Sequence, residues 1–239
     1  MTTPTTIQRV TDADDVRLAA DLIARSFDHL DANHYLVPDP DRRLPVMRDF
    51  FHLLTAHAAD GAGEVLLTAD RSATAVWFDR TAEPSAPADY EQRLADLAGP
   101  HLHRFTELDE LFDGNHPEEP HWHLAFLAVE PARWGQGLGS ALMRQTHTRL
   151  DEQGLAAYLE ATNPDNQRVY RRHGYAEMTP SAIRLTDGTP FYRMWRPPGA
   201  TDEQNRPAGS ERTDRSARTG AGRPAPVDRR GERSQARRG

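Results

Sequence analysis

The chain of 239 residues is ample for a single core domain, and it has no apolar run long enough to span a bilayer, which excludes a helical membrane protein. It contains no cysteine, which excludes a disulfide framework, and no signal-peptide pattern, so a soluble cytoplasmic protein is expected. The formal charge of −7 divides unevenly, because residues 200–239 hold 10 Arg against 6 acidic residues, a formal +4 that leaves −11 on the preceding body.

Taken in chain order, Ile7 to Val10 reads as a strand, and Thr11 as the cap of a helix to about Leu30 with Val16, Ala19, Ala20, Ile23 and Phe27 on one face. A second helix is expected over Leu44 to Ala58. Glu64 to Ala69 and Thr74 to Phe78 then read as a hairpin about Asp70-Arg71-Ser72, and Ala88 to Leu97 as helical. Phe27 to Asp41 and Ala82 to Gly114 are variable segments that would line a pocket. His121 and His123 begin a strand, on the face opposite Trp122, that runs through Leu127-Ala128-Val129 into Trp134-Gly135-Gln136-Gly137-Leu138-Gly139-Ser140 and a helix. Ala156 to Ala161 reads as a buried strand. Asn163-Pro164 opens a helix to His173 that ends at Gly174, and Ala176 to Thr186 with Pro190 to Arg196 make a last hairpin about Asp187-Gly188. This order predicts an α/β (α+β) domain over residues 1–199, a mixed central sheet of about six to seven strands with helices on both faces. Residues 200–239, rich in Gly, Pro, Ser, Thr and Arg with Val227 as the only sizeable apolar side chain, are expected to be a disordered tail. That tail has no aromatic residue, so no nucleic-acid partner is expected.

The glycine-rich turn carries the chemistry. Glycines at alternate positions let backbone N–H groups converge, and the helix that follows adds unpaired N–H groups and the positive end of its dipole, which suits a pyrophosphate. A Walker A loop needs Gly-Lys-Ser/Thr, and the chain has no lysine. A dinucleotide fingerprint needs Gly-x-Gly-x-x-Gly in the first βα unit, whereas this run is Gly135-x-Gly137-x-Gly139 beyond the midpoint.

The segment resembles the acetyl-CoA loop of the GNAT N-acetyltransferases. Leu127-Ala128-Val129-Glu130-Pro131 matches the family's strand, and Trp134 through Gly139 its Gln/Arg-x-x-Gly-x-Gly/Ala turn, with Trp134 at the Gln/Arg position and Arg133 displaced by one residue. Asn163, then Tyr170, then Gly174-Tyr175 match the family's second block. The resemblance covers about Ile7 to Pro197 and implies a GNAT fold splayed at the cofactor site, with acetyl-CoA as co-substrate. It implies cofactor contacts from Leu127, Ala128, Val129, Trp134, Gly135, Gln136, Gly137, Leu138, Gly139, Ser140, Asn163 and Asn166. A His121-x-His123 pair can bind metal, yet with no cysteine and no third obvious ligand no metal is expected. Further segments, Val37-Pro38-Asp39-Pro40-Asp41-Arg42, Ala75-Val76-Trp77-Phe78 and His116-Pro117-Glu118-Glu119-Pro120-His121-Trp122, resemble the puromycin N-acetyltransferase group. In that group the acceptor is the amine of an aminonucleoside antibiotic; resistance, self-protection and ordinary metabolism would all use the same catalytic face.

A thioester is already activated, so an enzyme must deliver a neutral amine, stabilise the oxyanion and protonate the departing thiolate. Tyr170 occupies the family's general-acid position, and an unperturbed phenol at ~10 lies above a thiol at ~8.5. For Glu160 two readings are open, a base for the amine and a partner for a nearby arginine. The His121-x-His123 pair and His34 carry no assigned role. Expected, then, is N-acetylation of a small primary amine by direct transfer, the alternatives being a protein N-terminal or lysine acetyltransferase and a non-catalytic CoA-binding module.

Overall fold

The computed structural model describes residues 5–201; the expected disordered tail lies outside the described residues apart from Ala200 and Thr201. Seven strands, β1 (Ile7–Arg9), β2 (Gly63–Thr68), β3 (Ala73–Arg80), β4 (His121–Val129), β5 (Ala156–Ala161), β6 (Ala176–Arg184) and β7 (Pro190–Arg196), form one sheet in the order β1-β2-β3-β4-β5-β7-β6. Every pairing is antiparallel except β4 with β5. The mixed sheet and its helix-covered faces are those expected from sequence.

On one face lie α1 (Ala13–Phe27), α3 (Pro40–His57), α4 (Tyr90–Ala98) and α5 (Leu102–Asp113), and on the other α6 (Leu138–Gln153) and α7 (Pro164–Arg172). Each face has its own core, because β-strand side chains alternate and both sides of the central strands are covered. Val65, Leu67 and Val76 point into the first layer, Leu66, Ala75 and Trp77 into the second. Phe27, Phe50, Phe51, Phe105 and Phe126 continue the first core as a run of edge-on or tilted rings with centroids 5.0–6.5 Å apart.

Three local differences from the sequence reading have physical causes. The cap of α1 is Asp12, not Thr11, since its carboxylate accepts from the Asp15 N–H at 2.9 Å. Helix α3 begins at Pro40 rather than Leu44: Asp39 accepts from the Asp41 N–H, and proline at the first helical position lacks only an N–H that would have no partner. A short helix α2 (Asp31–Leu36) and all of α5 lie within the two segments read only as pocket-lining. Their signal was present, as Phe105, Leu108 and Phe112 recur at three- and four-residue spacing, with Phe105 fully buried.

One irregularity shapes the molecule. Opposite Val76 and Trp77 stand Phe126 and Leu124, so Ala125 is an extra residue in β4, a bulge. Before it, His121 and His123 face the first layer; after it, the parity switches, and Leu127 and Val129 face the second layer while Phe126 and Ala128 face the first. Beyond the bulge β4 also parts from β5. Their pairing stops at His123 opposite Tyr158, although β4 continues to Val129 and β5 to Ala161.

Candidate active site

The parted strands leave backbone groups without sheet partners. The Glu130 N–H donates to the Ser72 carbonyl on the β3 side, so by alternation the N–H groups of Leu127 and Val129 point into the gap. The Val129 carbonyl, on that same side, accepts from Trp134 Nε1 at 2.8 Å and from Ser26 Oγ at 3.3 Å.

At the end of β4 the glycine turn opens onto α6. Gly135 and Gly137 have φ of +76° and +79°, and a Cβ on either would meet nothing within 4 Å. These two glycines serve the left-handed turn and leave its outer side open. Gly139 differs: a Cβ there would make ordinary contacts of 3.5 Å with Leu127 and 3.6 Å with Val129, so close packing does not require a glycine. Gly137 caps α6 without a side-chain bond, the first turn carries no acid, and the first intrahelical bond is Ala141 N–H to Gly137 O. The N–H groups of Leu138, Gly139 and Ser140 therefore remain available to an anion.

This turn, the β4–β5 gap and α7 line one cleft of about 830 Å³. Of the residues expected to contact a cofactor, Leu127, Val129, Trp134, Gly135, Gly137, Leu138, Gly139, Ser140, Asn163 and Asn166 line it, as do Tyr170 and Glu160. Ala128 and Gln136 do not. Ala128 is buried in the first core on the other side of the sheet, as strand alternation requires, and Gln136 is exposed with its carbonyl taken by Arg133 Nε at 2.8 Å. Trp134, 56% exposed, lies against the ring of His29 at the cleft wall. Arg133 is held to Asp70 at 2.9 Å. Asn163 caps α7 by accepting from the Asn166 N–H at 2.8 Å, while Asn166 Nδ2 donates to Thr162 Oγ1.

Two titratable side chains enter from opposite faces. Tyr170 packs with the second core, and burial pushes its phenol up to about 12, so it holds its proton across the neutral range. Glu160 alternates with Leu159 and Ala161, which face that second core, and so projects to the first face. Its partner is a histidine, not the arginine considered from sequence: Glu160 Oε2 lies 2.8 Å from His123 Nε2. Burial raises the carboxyl pKa, but the adjacent His123 chiefly, with smaller help from Tyr158 and His116, outweighs burial and holds it below the ordinary carboxylate range. Among the described residues no group of three or more His, Asp or Glu is placed to hold a metal ion. His123 and Ser26 are the site components sequence reasoning missed; the alternation of His121 and His123 was the available signal, but nothing local paired either with a residue 37 positions on.

A cleft with an anion cradle at one end and a proton-bearing phenol beside parted strands at the other fits a long ligand carrying a pyrophosphate and a thioester, the substrate of coenzyme A-dependent acyltransferases. Residues 73–175 match the model of the acetyltransferase (GNAT) family. The matched region is the part of the chain that builds the β3–β4 pairing, the glycine turn and α7, and enzymes of this family use acetyl-CoA as donor. Among solved structures, it is similar to one described as histone acetyltransferase HPA2 and related acetyltransferase from Corynebacterium glutamicum, with 26% identity and a TM-score of 0.64, covering 83% of this chain and 99% of that one. It also shares its fold with a GCN5-related N-acetyltransferase from Rhodopseudomonas palustris (12% identity, TM-score 0.52, 82% and 98% covered). A mosquito arylalkylamine N-acetyltransferase like 5b is a further match in fold (16% identity, TM-score 0.50, 80% and 100% covered). Among the described residues no helix is long and apolar enough to cross a membrane.

Proposed function

We propose that the protein transfers acetyl directly from acetyl-CoA to the primary amine of a small molecule, with Tyr170 as general acid and Glu160 as general base. The observation that carries this reading is that Tyr170 and Glu160 line one cleft from opposite faces of the sheet, with the β4–β5 gap between them. A base on one side and an acid on the other suit an amine entering and a thiolate leaving along one line. The N–H groups of Leu138, Gly139 and Ser140 would hold the pyrophosphate, and those of Leu127 and Val129 the pantetheine arm and the developing oxyanion. Glu160 takes the ammonium proton, freeing the nitrogen lone pair, and Tyr170 O–H gives its proton to the departing sulfur.

A small acceptor is supported by the approach to the cleft. Beside it lies a second hollow lined by His29, Leu30, Asp31, Thr162, Asn163 and Phe191 among others, four of which also line the main cleft. Asp31, at the first turn of α2, offers a carboxylate to a cationic amine, and Phe27 and Leu124 give an apolar wall. An aminonucleoside of the puromycin type is the acceptor favoured by the sequence resemblance. A second reading, acetylation of a protein lysine, is favoured by the similarity to the structure described as histone acetyltransferase HPA2.

Thiol release from acetyl-CoA, measured with puromycin, other aminonucleosides, aminoglycosides, polyamines and lysine peptides, separates these readings. Turnover with a small amine and none with peptides is expected. Turnover with peptides alone would replace the small-amine reading, and silence throughout with acetyl-CoA bound would favour a non-catalytic CoA-binding module.

A further inference from the structure

We propose that His123, which belongs to neither sequence block and does not line the cleft, is a positioning residue of the transfer reaction: it fixes one oxygen of Glu160, leaves the other for the amine, and keeps the carboxylate charged inside the protein. The inference rests on the reading of Glu160 as base.

The argument starts from burial. The Glu160 and His123 side chains are 5% and 8% exposed, and a carboxylate removed from water takes up a proton unless something opposes it. A protonated Glu160 cannot take the proton of an ammonium. The well-formed hydrogen bond to this carboxylate is from His123 Nε2 to Oε2; Oε1 is buried with no partner of good geometry among the described residues, although the nearby Tyr158 hydroxyl also favours the charged form. A carboxylate only accepts, so Nε2 carries the hydrogen and the lone pair of a neutral His123 is at Nδ1, which is likewise buried and unpartnered.

The surrounding histidines are turned to other partners, which leaves His123 as the imidazole that meets the carboxylate. His121 Nδ1 lies 2.6 Å from the Glu119 carbonyl, which only accepts, so Nδ1 holds the hydrogen and Nε2 of neutral His121 accepts from His116 Nε2 at 3.1 Å. Burial pushes His116 down to about 3 and His121 down to about 4, so both are neutral above pH 5. The rings of His116 and Tyr158 pack on His123 with centroids 4.9 and 5.4 Å away. Of the three imidazoles, only His123 touches a carboxylate.

The other titratable and charged groups facing the pair are few. Tyr158 on β5 has its phenol raised by burial and by Glu160, so it is neutral. Arg193 on β7 stands across the strand from Glu160, and Arg80 on β3 acts on it at longer range, with Asp113 of α5 near that arginine. Neither arginine hydrogen-bonds the carboxylate, so His123 is the basic side chain in direct contact with it.

The proton balance is simple. The ammonium N–H bond breaks, the proton passes to Glu160 Oε1 directly or through one water, and the electron pair stays on nitrogen for attack on the thioester. His123 keeps its Nε2–H bond to Oε2 throughout. Without His123 the largest influences opposing burial are gone, leaving only the smaller ones of Tyr158 and His116, so the Glu160 pKa rises and the base is lost by protonation in the neutral range.

This predicts a change in pH dependence, which a merely structural residue would not produce. The test measures kcat/KM for thiol release between pH 5 and 9.5 with one acceptor, using the full-length wild type, His123→Ala, His123→Gln and Glu160→Gln. Acetyl-CoA affinity by calorimetry and thermal melting serve as checks on the fold. For His123→Ala the acidic limb should move up by about two to three pH units into the neutral range, an about tenfold loss at pH 6 that is recovered to within about threefold at pH 9. His123→Gln retains an N–H donor without a titratable charge, and its limb should fall between; it carries the test if the alanine variant does not fold. Rates that fall equally at every pH in the His123 variants, or limbs that stay in place, overturn the inference while Glu160→Gln inactivity preserves the base. A Glu160→Gln protein with wild-type turnover overturns the base reading itself, and the inference with it.

Discussion

Replacing Tyr170 with phenylalanine removes one oxygen from the cleft. No hydrogen bond to that hydroxyl exists among the described residues, so its loss orphans no partner, and stability should stay within about 0.5 kcal/mol. The catalytic cost follows from the acidity. Positioned general acids contribute about 10²- to 10⁴-fold, and efficiency falls as the donor's pKa departs from that of the group it protonates. Burial holds Tyr170 up to about 12. A thiol lies at ~8.5, so the proton is shared with the leaving sulfur rather than fully given in the transition state. The loss should therefore sit near the lower end, about 10²-fold in kcat or about 2.7 kcal/mol. KM for acetyl-CoA should hardly move, since the proposed phosphate cradle lies at the α6 N-terminus, away from this hydroxyl. The sign of the pH effect is also set: the raised phenol stays protonated until pH approaches 12, so Tyr170 should impose no fall in rate between pH 8 and 10. Thiol release under saturating acceptor measures both quantities. A variant within threefold of wild type, folded and saturable, refutes Tyr170 as the acid; a basic limb near pH 9 that vanishes in the variant refutes the raised pKa.

Three further outcomes are expected. Gly137→Asp places a carboxylate in the anion cradle at a residue with φ of +79°, and calorimetry should show acetyl-CoA binding weakened at least about 100-fold while the melting transition survives. Asp151→Asn breaks a bidentate pair in which both carboxylate oxygens lie 2.7 Å from Arg196, itself 3% exposed, and should cost about 2–3 kcal/mol in denaturant unfolding at pH 7. Burial opposes ionisation of Asp151, yet the Arg196 bonds and the Gly199 N–H hold its pKa below the ordinary value, so this contribution is complete above about pH 4 and is lost as pH falls through the native pKa; a gap between the two proteins that persists at pH 2 would disprove it. Truncation after Thr201 should leave melting and turnover unchanged, whereas truncation after Pro197 removes the Gly199 bond to Asp151 and the Ala200 carbonyl from Arg196, both 2.7 Å, and should lower stability by about 2 kcal/mol; identical melting curves would show that these contacts contribute nothing.

The sequence by itself determined whatever depends on neighbours along the chain. Strand Ala156–Ala161 is continuous in its apolar character, and Asn163-Pro164 marks the start of α7 because capping and proline geometry act within four residues. The left-handed turn at Gly135 and Gly137 and the open end of α6 were legible for the same reason, and most residues named from them line the cleft. The exceptions, Ala128 and Gln136, belong to the same short segment, but their side chains turn away through strand alternation and a local bond to Arg133. Helices α2 and α5 were missed where short amphipathic patterns sat inside polar segments, whose stability comes from packing against the first core rather than from propensity.

Only the tertiary structure decided how the two ends of the chemistry meet. The bulge at Ala125 shifts the strand's parity, so that His123 and Leu127, four residues apart, face opposite layers, and beyond it β4 leaves β5. A regular alternation would have placed both on one side. The partner of Glu160 was equally out of reach of local reasoning, since a buried carboxylate takes whichever donor the sheet brings beside it, and parallel pairing of β4 with β5 brings a histidine. Local conformational preferences are set over a few residues, whereas the pairing of charges in a core is set by which strands lie side by side.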